Sequence, residues 1–152
     1  MSVVAAKICG IRDPVALEAA LAAGAEYIGF VFFPASPRAV TPIEAAALSE
    51  QVGCRAIRVG LIVNATDIEI AAILAETRLD MLQLHGSETP ERTAAVRRRF
   101  GLPVIKAFPI ATAAEVTSAA NYRDAADILL FDAKPPNRPD ALPGGNAESF
   151  DW

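Results

Sequence analysis

The chain has 152 residues, the length of one domain that can bury a hydrophobic core. Its 53% hydrophobic and 21% charged residues are typical of a globular protein and argue against disorder. The net charge of −4 argues against a nucleic acid or a membrane surface as partner, because both are anionic and bind positively charged proteins.

The cysteine content and the apolar stretches exclude further classes. Cys9 and Cys54 are too few for a disulfide scaffold, and no Cys/His cluster has the spacing of a zinc site. The longest apolar stretch, residues 27–33, is far shorter than the ~20 residues of a membrane span. The N-terminal residues also lack a signal-peptide pattern. We therefore expect a soluble, cytoplasmic protein.

Six short runs rich in β-forming residues recur at intervals of roughly 23–30 residues. In chain order they are VVAAKI, YIGFVF, AIRVGLIV, DMLQL, PVIKAF and DILLF. Helical patterns separate them. Asp13 is placed to cap the first helix before Pro14, and Gly24 to end it. Thr41 and Glu44 have the spacing of a capping box at the start of the second helix.

Alternation of strand and helix predicts right-handed βαβ units and a parallel sheet. No GxGxxG or GxxxxGK[ST] motif follows a strand, which disfavours a dinucleotide or P-loop fold. A (β/α)8 barrel needs about 200 residues, and two further units would bring this chain to that length. We therefore expect an α/β protein of the (β/α)8 TIM-barrel family, with residues 1–152 forming one partial barrel domain of about six βα units.

Ligands of parallel α/β sheets bind at the carboxyl ends of the strands. Polar or ionisable residues stand near most of the predicted strand ends, namely Cys9, Arg38, Gln83, His85, Lys106 and Asp132. Charged groups at such a rim cost desolvation energy unless they are paired or used, so this pattern predicts a functional site.

Cys9 and Asp132 are the candidates for proton transfer, and each has a simpler alternative. Cys9 could be a small buried hydrophobic residue, as most free cysteines are, yet before Gly10 its thiol stands where a base would be placed. Asp132 could cap a loop or pair with Lys134. A carboxyl group at the mouth of an apolar strand is equally suited to act as a general acid.

The remaining candidates also allow two interpretations. His85 could be a hydrogen-bonded rim residue and not a catalyst. Arg38 could be a loop cation, or it could bind a carboxylate or stack on an aromatic ring. Lys7 and Lys106 lie in or near strands and could be inward-facing ion-pair partners rather than ligands.

Seven motifs follow one another along the chain: KICGIRD, GFVFFPASPRAV, VGLIVN, LQLHGSETP, IKAF, LLFDAK and LPGGNAESFDW. Together they resemble the phosphoribosylanthranilate isomerase family, whose fold is a (β/α)8 barrel. The similarity runs through the whole chain in the right order. The resemblance implies the Amadori rearrangement of N-(5-phosphoribosyl)anthranilate to 1-(2-carboxyphenylamino)-1-deoxyribulose 5-phosphate, the third step of tryptophan synthesis from chorismate.

The resemblance also implies roles for individual residues. Asp132 would be the general acid that protonates the furanose ring oxygen, and Cys9 the general base that removes the proton from sugar carbon 2. Arg38 would contact the anthranilate end. The further predicted substrate-binding residues are Lys7, Gln83, His85, Gly144 and Gly145. No metal or organic cofactor is required, and the predicted partner is the sugar-phosphate substrate.

Two departures from the family carry expectations of their own. The usual GGTG is here Gly144-Gly145-Asn146-Ala147, and family members continue beyond FDW into two strands whose loops bind phosphate. We therefore expect a truncated barrel with edges at strands one and six, prone to self-association and poorly active alone; the complete protein would be a monomer or homodimer. The alternatives are a non-catalytic or regulatory half-barrel that binds a partner or an aromatic acid, and a different barrel enzyme acting on a phosphorylated sugar.

Overall fold

The computed structural model describes residues 4–135, 141–142 and 144. Within them, six strands alternate with five α-helices, and one 3₁₀ segment follows the last helix. The strands are β1 (Lys7–Cys9), β2 (Tyr27–Val31), β3 (Ile57–Ile62), β4 (Met81–Leu84), β5 (Val104–Ile110) and β6 (Ile128–Ala133). The helices are α1 (Pro14–Ala22), α2 (Pro42–Val52), α3 (Asp67–Glu76), α4 (Pro90–Phe100) and α5 (Ala113–Ser118), with the 3₁₀ segment at Ala119–Tyr122.

The sheet is parallel, as the sequence predicts, and its strand order follows the chain from β1 to β6. The chain divides into two compact units, residues 1–82 and 83–152. In the first unit, Cys9 of β1 lies opposite Gly29 of β2. In the second, Pro109 of β5 lies opposite Asp132 of β6. The strand pairing thus fixes the backbone position of Cys9 in the first unit and of Asp132 in the second.

The predicted helix starts are confirmed. The Asp13 side chain accepts a hydrogen bond of 2.8 Å from the Ala16 amide, at the start of α1. Thr41 and Glu44 form the predicted capping box of α2, in which each side chain bonds to the other's backbone amide. These bonds satisfy amide groups that the first helical turn leaves without intrahelical partners, so they fix where each helix begins.

Two strand boundaries differ from the prediction. β1 begins at Lys7, later than the run VVAAKI indicates. β5 extends past Phe108 to Ile110, although Pro109 lacks the amide hydrogen that a ladder uses. Pairing with β6 continues there, since the Lys134 amide donates to the Ile110 carbonyl at 3.0 Å. Lys106 therefore lies in the middle of β5 and not at its end.

Each unit has its own apolar core. In the first, Leu17, Ile28 and Phe30 are at most 1% exposed, and burial of such a side chain contributes about 1.5–3 kcal/mol. In the second, Phe108, Ile110 and Ala119 form a buried cluster. In the described part of the chain no helix is both long and apolar enough to span a bilayer.

The outer strands have exposed apolar side chains. Ile8 of β1 is 43% exposed, and Ile128 and Phe131 of β6 are each 38% exposed. Within the described residues, β1 pairs only with β2 and β6 only with β5. β1 and β6 are therefore the edges of the sheet in the described part of the chain, as expected. Self-association stays a prediction.

Candidate functional site

In the first unit, Cys9 and Lys7 lie on the same face of β1 and flank Gly29 of the neighbouring strand. A methyl group built on Gly29 would lie 2.7 Å from the Cys9 Sγ and 3.1 Å from the Lys7 Nζ. Glycine is therefore what leaves room for both side chains. Cys9 is a free thiol and is half-buried, so it is not the fully buried core residue of the simpler alternative.

Arg38 joins this cluster through Gly10. Gly10 has a φ of 85°, which a residue with a side chain rarely adopts, and a methyl group there would lie 2.7 Å from the Arg38 Cδ. The Gly10 and Ile11 amides both donate to the Gly29 carbonyl, at 2.9 and 3.1 Å. This turn at the end of β1 thus holds the backbone close enough for the arginine side chain to pack on it.

The loop after β2 presents Arg38 through hydrogen bonds of its own. The Arg38 amide donates to the Ser36 Oγ at 3.2 Å, and the Ala39 amide donates to the Ser36 carbonyl at 3.0 Å. The Arg12 guanidinium donates to the Pro37 carbonyl. The SPR element is therefore a fixed turn, and the position of the Arg38 side chain is set by backbone contacts.

Lys7 and Arg38 are half-buried cations to which the described residues offer no salt bridge or side-chain hydrogen bond. A half-buried cation without a counter-charge costs desolvation energy, so a pair of them beside a thiol suits an anionic ligand. Of the two interpretations left open for Lys7, ligand contact fits this geometry better than an ion pair. Arg38 in addition has the planar geometry that binds a carboxylate.

In the second unit, the structure brings Asp132 and His85 together. The His85 Nε2 lies 3.4 Å from the Asp132 Oδ2, slightly beyond the usual hydrogen-bond range of about 2.7–3.2 Å. The other carboxylate oxygen, Oδ1, accepts from the Ala133 amide at 3.0 Å. Asp132 is half-buried at the end of β6 and does not pair with Lys134, whose Nζ binds the Glu115 Oε1 at 2.7 Å.

Gln83 and Gly144 complete the second cluster. The Gln83 side chain is 2% exposed, and its Nε2 lies 2.8 Å from the His85 Nδ1. A methyl group on Gly144 would lie 2.5 Å from both the Asp132 Oδ2 and the His85 Nε2. The backbone at Gly144 thus lies directly against the carboxylate and the imidazole. Gly145, the other predicted glycine, lies outside the described residues.

Lys106 has the ion-pair role that was one of its two interpretations. Its Nζ lies 3.1 Å from the Glu88 Oε2, and it donates to the carbonyls of Gly86 at 2.7 Å and Ala107 at 2.9 Å. Burial lowers the pKa of this ammonium below its ordinary value, while the Glu88 carboxylate opposes that shift. The bonds also hold the backbone that follows β4, next to His85.

Sequence reasoning missed Glu88 and Tyr122, which support this segment. The Glu88 Oε2 also accepts from the Gly86 amide at 3.0 Å, and the Tyr122 hydroxyl donates to the Glu88 carbonyl at 2.8 Å. The only sequence signal for Glu88 was its position two residues after Gly86, which is common in surface loops as well. Within the described residues, no group of three or more Cys, His, Asp or Glu side chains is placed to hold a metal ion.

Comparison with known proteins points to one family. The model of N-(5'-phosphoribosyl)anthranilate (PRA) isomerase matches residues 6–152 of the chain. The N-(5'-phosphoribosyl)anthranilate isomerase of Paramagnetospirillum magneticum is 52% identical over 146 residues, which are 96% of this chain and 67% of that protein. The chain thus spans about two thirds of the length of this relative.

Solved structures agree. The phosphoribosyl anthranilate isomerase of Thermotoga maritima is 33% identical with a TM-score of 0.85, over 99% of this chain and 69% of that one. A phosphoribosyl anthranilate isomerase in complex with reduced 1-(o-carboxyphenylamino)-1-deoxyribulose 5-phosphate is 32% identical with a TM-score of 0.79, over 86% of this chain and 66% of that one. The predicted α/β fold of the TIM-barrel family is confirmed by these matches.

Proposed function

The chain belongs to the phosphoribosylanthranilate isomerase family, and from this premise we propose that its protein converts N-(5'-phosphoribosyl)anthranilate into 1-(2-carboxyphenylamino)-1-deoxyribulose 5-phosphate in tryptophan synthesis. The observation that carries this proposal is the family match over residues 6–152, which contain both Cys9 and Asp132. A relative in complex with the reduced form of the product supports the same substrate class.

The reaction requires an acid and a base. Asp132 donates its proton to the furanose ring oxygen, the bond from that oxygen to carbon 1 breaks, and the substrate nitrogen forms a protonated Schiff base with carbon 1. Cys9, as the thiolate, then removes the proton from carbon 2, and the electrons of that bond neutralise the Schiff base. The resulting enolamine rearranges to the aminoketose. Each proton transfer is expected to contribute about 10²–10⁴-fold to the rate.

The remaining site residues bind the substrate. Arg38 contacts the anthranilate carboxylate, and Lys7 supplies a second positive charge beside Cys9. Their lack of acidic partners among the described residues supports this role, because an anionic ligand would then supply the missing counter-charge. His85 and Gly144 lie against Asp132, and Gln83 binds His85. Gly145 stays a predicted substrate-binding residue outside the described residues.

Two variants with matched controls test the assignment. Turnover of phosphoribosylanthranilate is measured for the longest protein that the source gene encodes and for its Asp132→Asn and Cys9→Ser variants, in which we expect a fall of about 10²–10⁴-fold. Asp124→Asn and Cys54→Ser make the same chemical changes at exposed positions and should leave the rate unchanged. Calorimetry with the reduced product should show that Asp132→Asn still binds.

The outcomes separate the proposed isomerase from its alternative. A parent rate that survives both substitutions would overturn the acid and base assignment. A parent protein that binds the reduced product but turns nothing over would instead favour the non-catalytic binding module.

A further inference from the structure

Gln83 has a buried amide with one end bound and the other end unbound. Its side chain is 2% exposed in β4, and its Nε2 lies 2.8 Å from the His85 Nδ1. Its Oε1 is buried without a hydrogen-bond partner among the described residues. Buried polar atoms are nearly always bonded, so an amide that leaves one atom unbound in order to reach His85 requires an explanation.

The orientation of this amide follows from what the two nitrogens of the His85 ring face. If the amide were turned over, Oε1 would face the His85 Nδ1, which would then have to carry the hydrogen. A neutral ring would in that case present its bare Nε2 to the Asp132 Oδ2, which sets two acceptors against each other. The amide therefore donates from Nε2, and the His85 Nδ1 is the acceptor.

A ring nitrogen that accepts a hydrogen bond carries no hydrogen, so a neutral His85 has its hydrogen on Nε2. That nitrogen is the one that lies 3.4 Å from the Asp132 Oδ2. An N–H group facing a carboxylate is the favourable arrangement, whereas a bare nitrogen there would repel it. The contacts on the two sides of the imidazole thus require the same tautomer.

We propose that Gln83 is a positioning residue for proton transfer by Asp132: its buried amide holds His85 in the Nε2–H tautomer, whose N–H group faces the Asp132 carboxylate across 3.4 Å. The inference rests on the proposed function for the role of Asp132. When Asp132 gives its proton to the ring oxygen, a carboxylate forms, and the Nε2–H of His85 stabilises that negative charge. Hydrogen bonds to charged groups are among the stronger ones in proteins.

Neighbouring contacts fix the backbone on both sides of His85. The Lys106 Nζ donates to the carbonyls of Leu84 at 3.4 Å and Gly86 at 2.7 Å. The Gly86 amide donates a hydrogen bond of 3.0 Å to the Glu88 Oε2. With the main chain held in this way, the Gln83 amide is the contact that selects the tautomer of the ring.

Nitrogen NMR of His85 tests the tautomer directly. The protein is labelled with ¹⁵N-histidine, and the His85 signals are identified as those missing from the His85→Asn variant. Protonated and bare imidazole nitrogens resonate in separate ranges, so one spectrum of the neutral ring shows which nitrogen carries hydrogen. We expect hydrogen on Nε2. Hydrogen on Nδ1 in the parent protein would overturn the inference.

Substitution of Gln83 tests its part in the selection. In Gln83→Glu the carboxylate needs a donor, so Nδ1 should gain a hydrogen, and kcat should fall about tenfold to hundredfold while KM changes little. Gln83→Met, of similar size, should leave a mixture of tautomers and a smaller fall in kcat. Gln51→Glu is the control, because Gln51 is exposed and, in the described part of the chain, its side-chain amide donates to the Ala47 carbonyl of its own helix and to no other group.

A Gln83→Glu variant that keeps both the parent spectrum and the parent kcat would overturn the inference. The spectrum of the parent protein decides the tautomer even where a variant fails to fold. Absence of turnover in the parent would count against the proposed function, whereas the His85 signals report on Gln83 independently of activity.

Discussion

The Lys106 Nζ lies 3.1 Å from the Glu88 Oε2, and the two side chains are only 3% and 4% exposed. The pair lies in the second unit, next to the segment that carries His85. A buried ion pair of this kind is weak evidence for stability in itself, since burial removes both charges from water. Its effect is on the position of the segment after β4, because Lys106 also binds the Gly86 carbonyl.

The buried pair predicts strong coupling between its members. Lys106→Met and Glu88→Gln should each lower the free energy of unfolding by about 3–5 kcal/mol, because each leaves the buried charge of the other residue without its counter-charge. The double variant should lose less than the sum. Urea unfolding of the four proteins measures this, and Lys134→Met, at an exposed pair, should stay close to the parent. Additive losses would contradict the coupling.

The Arg58–Asp80 pair of the first unit predicts a dependence of stability on pH. Partial burial raises the pKa of the Asp80 carboxyl, but hydrogen bonds from the Arg58 side chain and backbone lower it more, so the pKa lies below the ordinary 3.8. A carboxyl whose pKa is lowered on folding stabilises the protein above its unfolded pKa and loses that effect as pH falls through the folded pKa.

We therefore expect the parent to be more stable than Asp80→Asn at pH 6, and the difference to shrink as the pH falls below 3.8. Thermal melts of both proteins at pH values from 6 to below 3.8 measure the difference in stability. A difference in stability between the two proteins that stays constant down to the lowest pH would show that the charge of Asp80 is not its cause.

Substitution of Gly144 is predicted to lower activity. In Gly144→Ala the new methyl group would lie 2.5 Å from the Asp132 Oδ2 and the His85 Nε2, so Asp132, the proposed acid, must move. Displacement by about 1 Å can cost up to about 100-fold in rate. Gly53→Ala is the opposite control: φ is 59° and the methyl group meets nothing within 4 Å, so it should cost stability and leave kcat unchanged.

Substitution of Gly29 gives the corresponding prediction for Cys9, the proposed base. Gly29→Ala would place a methyl group 2.7 Å from the Cys9 Sγ, whereas Gly60→Ala, one strand further, would meet the Leu79 Cδ1 at 2.5 Å. Both overpack the interior and should lower stability by about 1–3 kcal/mol. Only Gly29→Ala should also lower kcat, measured at a temperature where both variants are folded. Equal kcat values would argue against Cys9 as the base.

The local parts of the fold could be predicted from the sequence. Asp13 and the pair Thr41 and Glu44 act on amides three residues away, so a short stretch of chain determines them. Strand positions followed from short apolar runs for the same reason. The end of β5 was wrong because a ladder with β6 outweighs the local effect of Pro109.

The residue types of the candidate site were predictable, but their partners were not. Cys9 and Asp132 stand at the ends of strands. Such positions can be recognised in the sequence as a polar residue that follows a run of β-forming residues. The pairing of Lys106 with Glu88 and the contact of Gln83 with His85 depend on which side chains meet across strands and loops. The same holds for Lys7, for which the described residues offer no acidic partner.

By itself, the sequence determined an alternating α/β chain, its helix starts and its family motifs, and it supplied the candidates for proton transfer. Hydrophobic periodicity and helix capping depend on residues that are close in the chain, so both can be predicted from the order of residues. Only the tertiary structure decided that Gln83 reaches the Nδ1 of His85 while the Nε2 faces Asp132. A tautomer depends on donors and acceptors that are brought together by folding, and no spacing along the chain specifies them.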